Sequence, residues 1–323
     1  RRSADVITDI ADREVADAAR ALEGVAVRTP LQYVAALDAW LKLESRQPMG
    51  AFKIRGAYNA IRKLSDAARA RGVITFSSGN HGQAVAYAAQ RFGVRAVIVM
   101  PETAPAVKVE GVKRWGGEVV FAGRTSEDRR IAALEIAARD GLAVVPPFDH
   151  PDIIAGQATV GLEIAADLPE VATVVVPVGG GGLISGVARG LAAAGSRARV
   201  VGVEPAGAPK LTRSLEAGRP VTLERTASIA DGLITLSVGE LPFEVLQQHK
   251  ERLAGVVTVT DDAIREAVFF LHQQCGLMVE PSGAATTAAL RAGLLEQYRR
   301  PPVVLVVSGG NVDPALLEDR RRS

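Results

Sequence analysis

Four consecutive glycines, Gly179 to Gly182, are the strongest anion-binding signal in this sequence of 323 residues. Because glycine has no Cβ, the backbone N–H groups of such a loop can converge on a phosphate. The sequence predicts a helix directly afterwards, over Ile184–Ala194, and the partial positive charge at its N-terminus would attract the same anion. A purely structural turn would not need four glycines, so the loop favours a phosphate site.

The same loop could bind a dinucleotide instead. Gly180 and Gly182 match the first two glycines of the fingerprint G-x-G-x-x-G, but Ser185 stands at the third. Glu204 lies at about the distance of the acid that meets a ribose, although Pro205 follows it immediately. A nicotinamide-dependent enzyme is therefore the weaker interpretation of this loop.

Lys53 is a candidate nucleophilic amine. It follows an apolar stretch that ends at Phe52, and a second cation, Arg55, stands shortly after it. Apolar surroundings and a neighbouring cation lower the pKa of a lysine and thereby favour its free amine. From spacing alone, however, a solvent-exposed lysine at the start of a helix is the more frequent arrangement.

Two further polar loops follow apolar strands. The first contains Ser77, Ser78, Asn80 and His81, whose polar groups could clamp a carboxylate, whereas an N-terminal helix cap would need only one of them. The second contains Ser308, whose hydroxyl could cap a helix or face a heteroaromatic nitrogen. Composition does not separate these two roles of Ser308.

Alternating strands and helices must position these loops. Short β-branched runs predict strands, and the Ala-rich amphipathic stretches between them predict helices. The predicted strands are Val73–Phe76, Ala96–Met100, Glu118–Phe121, Ala143–Val145, Thr173–Pro177, Val200–Val203 and Val303–Val307. The further predicted helices are Gln83–Phe92, Ser126–Arg139, Thr159–Asp167, Asp261–Gln274 and Ala284–Ala292. This alternation indicates an α/β doubly wound fold, in which ligands bind at the carboxyl ends of parallel strands.

Composition narrows the class of protein. The length suits roughly two domains of about 150 residues each, and 48% hydrophobic with 23% charged residues is typical of a globular protein. A formal net charge of +2 argues against nucleic acid as a partner, and no apolar run approaches a membrane span. One cysteine, Cys275, excludes an internal disulfide, and the N-terminal residues lack the apolar core of a signal peptide. We expect a cytoplasmic enzyme.

In their order along the chain, these motifs resemble the fold-type II pyridoxal-phosphate enzymes, close to the threonine/serine dehydratases and serine racemases. The resemblance runs from about Thr29 to Asp313. The matching strings are Gly50-Ala51-Phe52-Lys53-Ile54-Arg55-Gly56-Ala57, Ser77-Ser78-Gly79-Asn80-His81-Gly82-Gln83-Ala84, Val178-Gly179-Gly180-Gly181-Gly182-Leu183, Val307-Ser308-Gly309-Gly310-Asn311, Ala155-Gly156-Gln157 and Val203-Glu204-Pro205.

The resemblance implies pyridoxal 5'-phosphate as the cofactor, joined to Lys53 as a Schiff base. Phe52 would pack beside the cofactor ring, Asn80 would hydrogen-bond the ring hydroxyl, and Ser308 would face the pyridine nitrogen. The phosphate would lie on Gly179, Gly180, Gly181, Gly182 and Leu183. The substrate carboxylate would lie on Ser77, Asn80 and His81. Ser78 matches the residue that acts on the face opposite Lys53 in racemases, and so it is a second candidate catalytic residue.

The same resemblance implies two open parallel-sheet α/β domains of the tryptophan synthase β-like kind. Residues 1–70 and 146–323 would form the large cofactor-binding domain, and residues 71–145 a small mobile domain. The implied activity is dehydration and deamination of a β-hydroxy amino acid, such as threonine or serine, by a homodimer. An amino-acid racemase on the same scaffold is the alternative. A non-catalytic cofactor-binding protein is disfavoured because Lys53, Asn80 and Ser308 are all present.

Two departures from the family pattern stand out. Met49-Gly50-Ala51 replaces the Thr-Gly-Ser that commonly stands before Phe-Lys in the family. Both hydroxyls of that motif are missing, so the resemblance does not fix which substrate side chain is accepted. Metal-stimulated relatives use a glutamate, a backbone carbonyl and an acidic side chain; Glu204 and Ala208 match the first two, but Lys210 stands at the acidic position. We therefore expect no metal site here. Lys210 would pair with Glu204 or, alternatively, point into solvent.

Overall fold

The structure is a computed structural model that describes residues 10–77, 79–124 and 126–318. The strands are β1 Leu31–Val34, β2 Ala39–Leu43, β3 Val73–Phe76, β4 Ala96–Met100, β5 Glu118–Phe121, β6 Ala143–Val144, β7 Thr173–Pro177, β8 Arg199–Pro205, β9 Leu253–Val259 and β10 Val303–Val307. The helices are α1 Asp12–Ala21, α2 Lys53–Arg62, α3 Asp66–Arg71, α4 Asn80–Phe92, α5 Ala106–Arg114, α6 Ser126–Asp140, α7 Pro151–Asp167, α8 Gly182–Ala193, α9 Lys210–Ala217, α10 Glu240–Gln248, α11 Asp261–Cys275, α12 Pro281–Arg291 and α13 Pro314–Glu318. Within these ranges, every helix is too short or too polar to cross a membrane.

The strands form two sheets. The larger has the order β1-β2-β10-β7-β8-β9, and its neighbouring strands are parallel except for the edge pair β1 and β2. The smaller has the order β5-β4-β3-β6 and is parallel throughout. The prediction of an α/β fold with parallel sheets is confirmed. Because β10, β7 and β8 are adjacent and parallel, the loops that follow them open at the same edge of the large sheet.

Helices cover both faces of the large sheet. Along the adjacent strands β7 and β10, Val175 and Leu305 belong to one hydrophobic core, with α11 and α12. Val174 and Val304 belong to the opposite core, with α8 and α10. Strands that are buried on both faces are apolar throughout rather than alternating, which is why their sequence runs predict them well.

The seven predicted strands are present, whereas β1, β2 and β9 were not predicted. In β2 the charged residue Lys42 interrupts the apolar pattern, yet it is fully buried because it pairs with Glu163 at 2.6 Å. In β9, Gly255 weakens the strand pattern. Such local signals cannot reveal a partner that comes from a distant part of the chain.

Helices α7 and α8 begin earlier than predicted, at Pro151 and Gly182. Glycine lowers helix propensity, but here it permits close helix packing. A Cβ at Gly156 of α7 would lie 2.4 Å from the carbonyl oxygen of Arg55 in α2, and one at Gly190 of α8 would lie 1.9 Å from that of Ala158. The glycines therefore allow α7 to touch the backbones of α2 and α8.

Arg55 anchors helix α2 in a buried cluster of charges. Its guanidinium donates to both carboxylate oxygens of Glu44, at 2.9 and 2.7 Å, and to both of Glu163, at 2.7 and 2.8 Å. Arg55 and Glu44 are both buried, and Lys42 completes the cluster through Glu163. Removal of one member would leave an uncompensated buried charge, which lowers the free energy of unfolding.

We predict that Arg55→Ala lowers the free energy of unfolding by about 3–5 kcal/mol, because it leaves the buried carboxylate of Glu44 without its ion-pair partner. Urea denaturation followed by far-UV circular dichroism measures this loss as a lower midpoint. The matched control is Arg95→Ala, whose pair with Glu118 is solvent-exposed and should contribute no more than about 1 kcal/mol. Equal midpoints for the two variants would contradict the prediction.

Candidate active site

Lys53 lies in the first turn of helix α2. Its Nζ atom donates a 2.8 Å hydrogen bond to the carbonyl oxygen of Pro147. The residue is half-buried and the protein encloses its amine, so burial lowers the pKa of Lys53 to about 8. The alternative of an ordinary solvent-exposed lysine is therefore wrong, and Lys53 presents an amine that is partly uncharged near neutral pH.

The guanidinium of Arg55 does not cause this shift, contrary to the sequence-based expectation. Glu44 and Glu163 neutralise it, and desolvation alone accounts for the lowered pKa of Lys53. Glu163 lies 108 residues from Arg55 along the chain. The sequence offered no local sign of that pairing, so the expectation was right about the apolar surroundings and the direction of the shift, and wrong about the part played by Arg55.

His81 is held by the same strand-end segment as Lys53. Its Nε2 atom lies 3.0 Å from the carbonyl oxygen of Val145. Because a carbonyl only accepts hydrogen bonds, Nε2 carries the ring proton. Burial, followed by the charge of Lys53, lowers the pKa of His81 to about 3. The ring is therefore neutral and brings no positive charge to the carboxylate site that the family resemblance implies.

The glycine loop joins β7 to α8, as predicted. Gly181 is the N-cap and has a φ of +90°, which glycine adopts without strain. The consecutive N–H groups from Gly179 to Leu183 donate to no carbonyl or side chain within the described part of the chain. Free amides at the N-terminus of a helix are suited to bind an anion such as a phosphate.

Phe148 packs against the glycine loop and excludes side chains from it. A Cβ at Gly180 would lie 2.1 Å from the Cδ1 atom of Phe148. Phe148 directly follows Pro147, whose carbonyl accepts the hydrogen bond from Lys53. The lysine amine and the loop amides are therefore held by one short segment, residues 145–148.

Ser308 follows β10 and is 5% exposed. Its backbone carbonyl accepts a 3.1 Å hydrogen bond from the N–H of Phe52, and the Phe52 ring centroid lies 5.3 Å from the Nζ atom of Lys53. The Ser308 hydroxyl donates to no described residue. The backbone contact places Ser308 beside the start of α2, and its hydroxyl is free to meet a ligand.

Asn80 is held from both sides by residues that the sequence analysis missed. Its Nδ2 atom donates a 2.6 Å hydrogen bond to Glu280, and its Oδ1 atom accepts a 2.7 Å bond from Asn311. Glu280 is the N-cap of α12 and is buried, so its pKa is raised to about 8. A Cβ at Gly309 would lie 1.9 Å from the Oε1 atom of Glu280. The paired glycines after Ser308 were the available sign of this close approach.

The polar loop before α4 is only partly described. The Ser77 hydroxyl accepts a 3.2 Å hydrogen bond from the N–H of Gly79, whereas Ser78 lies outside the described residues. Helix α4 begins at Asn80, earlier than the predicted Gln83, and no described side chain caps it. The simple cap that was the alternative reading of this loop is therefore not found among the described residues.

Comparisons with known proteins identify the family. The family model described as pyridoxal-phosphate dependent enzyme matches residues 4–309. The chain is 40% identical to the L-threonine ammonia-lyase of Thermotoga maritima over 94% of this chain and 76% of that protein. It is 43% identical to a threonine dehydratase of Nicotiana attenuata over 90% of its own length, and it spans 49% of that protein. The structure of maize serine racemase matches with a TM-score of 0.90 and 37% identity, covering 97% of this chain and 96% of that one. The chain belongs to the family of pyridoxal-phosphate dependent enzymes.

The arrangement of groups fits pyridoxal phosphate. The partly uncharged amine of Lys53 suits the cofactor aldehyde, and the free amides that begin at Gly179 suit its phosphate. The unengaged hydroxyl of Ser308 and the amide of Asn80 can meet the two polar positions of its ring. Because the family is pyridoxal-phosphate dependent, a phosphate rather than a dinucleotide is the ligand that this loop is suited to bind.

We predict that Glu280→Gln removes a pH-dependent cost to stability. Burial raises the pKa of Glu280 from its ordinary value of 4.5 to about 8. Between these values the folded protein holds a proton that the unfolded chain has released, so the contribution of this group to stability falls as the pH rises. In thermal unfolding measured from pH 5 to pH 9, the melting temperature of Glu280→Gln should rise by a few degrees relative to that of the wild type as the pH rises.

The control for this measurement is Glu118→Gln. The side chain of Arg95 lowers the pKa of the exposed Glu118 carboxyl. The melting temperature of this variant should therefore not rise relative to that of the wild type as the pH rises. A difference between Glu280→Gln and the wild type that stays constant across the pH range would refute the assignment of a protonated Glu280.

Proposed function

We propose that this chain converts a small β-hydroxy amino acid, such as threonine or serine, into a 2-oxo acid and ammonia with pyridoxal phosphate as cofactor. The observation that carries the proposal is the desolvated amine of Lys53 beside a glycine loop with free amides. The ammonia-lyase and dehydratase names of its relatives support the reaction type.

Lys53 would act both as the anchor of the cofactor and as the general base. When bound, pyridoxal phosphate supplies an electron sink that stabilises negative charge at the substrate Cα atom. A lysine with a pKa of about 8 is protonated and deprotonated easily near neutral pH, so Lys53 can take the Cα proton. Its bond to the carbonyl of Pro147 keeps the amine directed to one place.

The remaining residues would orient the cofactor and the substrate. Residues 179–183 would hold the phosphate, and Ser308 would face the ring nitrogen with a neutral hydroxyl rather than a charged carboxylate. Such a neutral partner moderates charge stabilisation and favours prompt loss of the β-hydroxyl. Asn80, positioned by Glu280 and Asn311, would meet the ring hydroxyl and, together with Ser77 and His81, the substrate carboxylate.

The test is an assay of product. With L-threonine or L-serine, the holoprotein should release a 2-oxo acid and ammonia in equal amounts. The same assay with 3-hydroxyaspartate and phenylserine, in both configurations at Cβ, shows which substrate side chains are accepted.

Lys53→Ala should lower turnover by about 10²–10⁴-fold or more, because it removes the general base. The control, Lys113→Ala, alters an exposed lysine of α5 and should retain full activity. Near-wild-type turnover by Lys53→Ala would overturn the assignment.

An amino-acid racemase is the second candidate, and the close similarity to the structure of maize serine racemase favours it. Racemisation needs a proton donor on the face opposite Lys53, and we propose Ser78 for that role. Ser78→Ala should suppress formation of D-serine, measured by chiral chromatography, while 2-oxo acid formation from L-serine stays measurable. Equal loss of the two activities would show that Ser78 does not act as this donor.

The proposal also covers assembly and location. We propose a homodimer in the cytoplasm, with the family resemblance as its support. Residues 71–145, which contain the four-stranded sheet, would move as a small domain over the substrate. Light scattering of the holoprotein, with and without substrate analogue, measures the mass of the assembly.

A further inference from the structure

Lys210 is fully buried behind the glycine loop, at the start of helix α9. Its Nζ atom donates hydrogen bonds to the carbonyl oxygens of Val178 at 2.8 Å, Leu233 at 2.9 Å and Ala208 at 3.2 Å. The Oε1 atom of Glu204 lies 3.5 Å away and is also fully buried. The alternative in which Lys210 points into solvent is therefore wrong.

Burial lowers the pKa of Lys210 to about 8, while the charge and hydrogen bonding of Glu204 oppose this shift, so the amine is mostly protonated near neutral pH. Carbonyl oxygens only accept, and three of them converge on Nζ, so all three hydrogens of an ammonium group are engaged. Glu204 supplies the compensating negative charge. Its carboxylate is fixed in turn by the N–H groups of Leu211, at 2.6 Å, and Thr212, at 3.0 Å, and by the Thr212 hydroxyl at 2.8 Å.

The three carbonyl oxygens and the Glu204 carboxylate oxygen form an oxygen cage around Nζ of Lys210. Oxygen atoms of these kinds are the ligands that hard cations prefer. A divalent metal at this place, which the family resemblance raises, does not fit, because the ammonium of Lys210 occupies the centre of the oxygen cage and a protonated lysine cannot ligate a metal. No group of three or more His, Cys, Asp or Glu side chains elsewhere in the described ranges could hold a metal either. The cage holds a cation that is part of the chain.

The caged ammonium is connected to the phosphate-binding amides. The carbonyl of Val178 and the N–H of Gly179 belong to the same peptide unit, so a hydrogen bond to the carbonyl polarises that N–H. Leu233 follows Gly232, whose carbonyl oxygen lies 2.7 Å from the position of a Cβ on Gly179. The Lys210 ammonium thus ties together the end of β7, the end of β8 and the segment that packs on the glycine loop.

We propose that Lys210 is a built-in cation that takes the place of a bound inorganic ion and holds the glycine loop in its phosphate-binding form. The cage would accept a free ammonium ion once the lysine side chain is removed. Its N–O distances of 2.8–3.2 Å suit ammonium and exceed the roughly 2.0–2.1 Å of magnesium–oxygen bonds. This inference does not depend on the substrate or the reaction.

The experiment compares Lys210→Ala, which empties the cage, with Lys210→Met, which fills it with an uncharged chain of similar length. Both variants should bind pyridoxal phosphate about tenfold more weakly than the wild type, as expected for the loss of a charged hydrogen-bond donor. Ammonium chloride should restore cofactor affinity and melting temperature in Lys210→Ala, in a saturable way, but not in Lys210→Met. Tetramethylammonium chloride at equal ionic strength, whose cation is too large for the cage, should restore neither.

Three outcomes would overturn the inference. One is an identical response of the two variants to ammonium, and another is unchanged cofactor affinity in Lys210→Ala. The third is a wild-type holoprotein whose melting temperature falls with chelator and recovers with magnesium. If Lys210→Ala folds only when refolded in ammonium chloride, the cage is supported; equal failure to fold in ammonium and tetramethylammonium salts contradicts it. Melting and cofactor binding are independent of turnover, so these results stand whether or not the proposed lyase activity is found.

Discussion

The contact between helices α2 and α7 fixes the position of the Lys53 amine. Gly156 lets α7 approach the backbone of α2 so closely that a Cβ there would lie 2.4 Å from the Arg55 carbonyl oxygen. On one side of α2, the guanidinium of Arg55 is locked between two carboxylates. On the other side, Lys53 enters a desolvated place where water cannot support its full charge. The ion cluster and the lowered pKa are thus two consequences of one packed helix.

A second set of contacts joins the start of α2 to the loop after β10. The N–H of Phe52 donates to the Ser308 carbonyl, and the N–H of Gly310 donates to the Gly50 carbonyl at 2.8 Å. The backbones of the segment before Lys53 and of Ser308 are therefore joined at the end of β10. Lys210 plays the corresponding part behind the glycine loop. Both halves of the site rest on buried cations that are compensated by buried or half-buried glutamates.

The sequence predicts the features that depend on local patterns. The apolar runs of β7 and β10 and the glycines from Gly179 to Gly182 can be read without knowledge of their neighbours, and the structure places them as expected. The burial of Lys53 and the engagement of Arg55 could not be read in this way, because they depend on Pro147, Glu44 and Glu163. Glu280 was missed for the same reason, since its contact with Asn80 joins residues 200 positions apart.

We propose that Lys53 is the lysine that holds pyridoxal phosphate. Borohydride reduction of the holoprotein, followed by proteolysis and mass spectrometry of the peptides, tests it most directly. We predict a pyridoxyl modification on the peptide that contains Lys53 and none on the peptide that contains Lys210, whose amine is fully engaged. Modification of a different lysine, or of none under conditions in which the cofactor is bound, would contradict it.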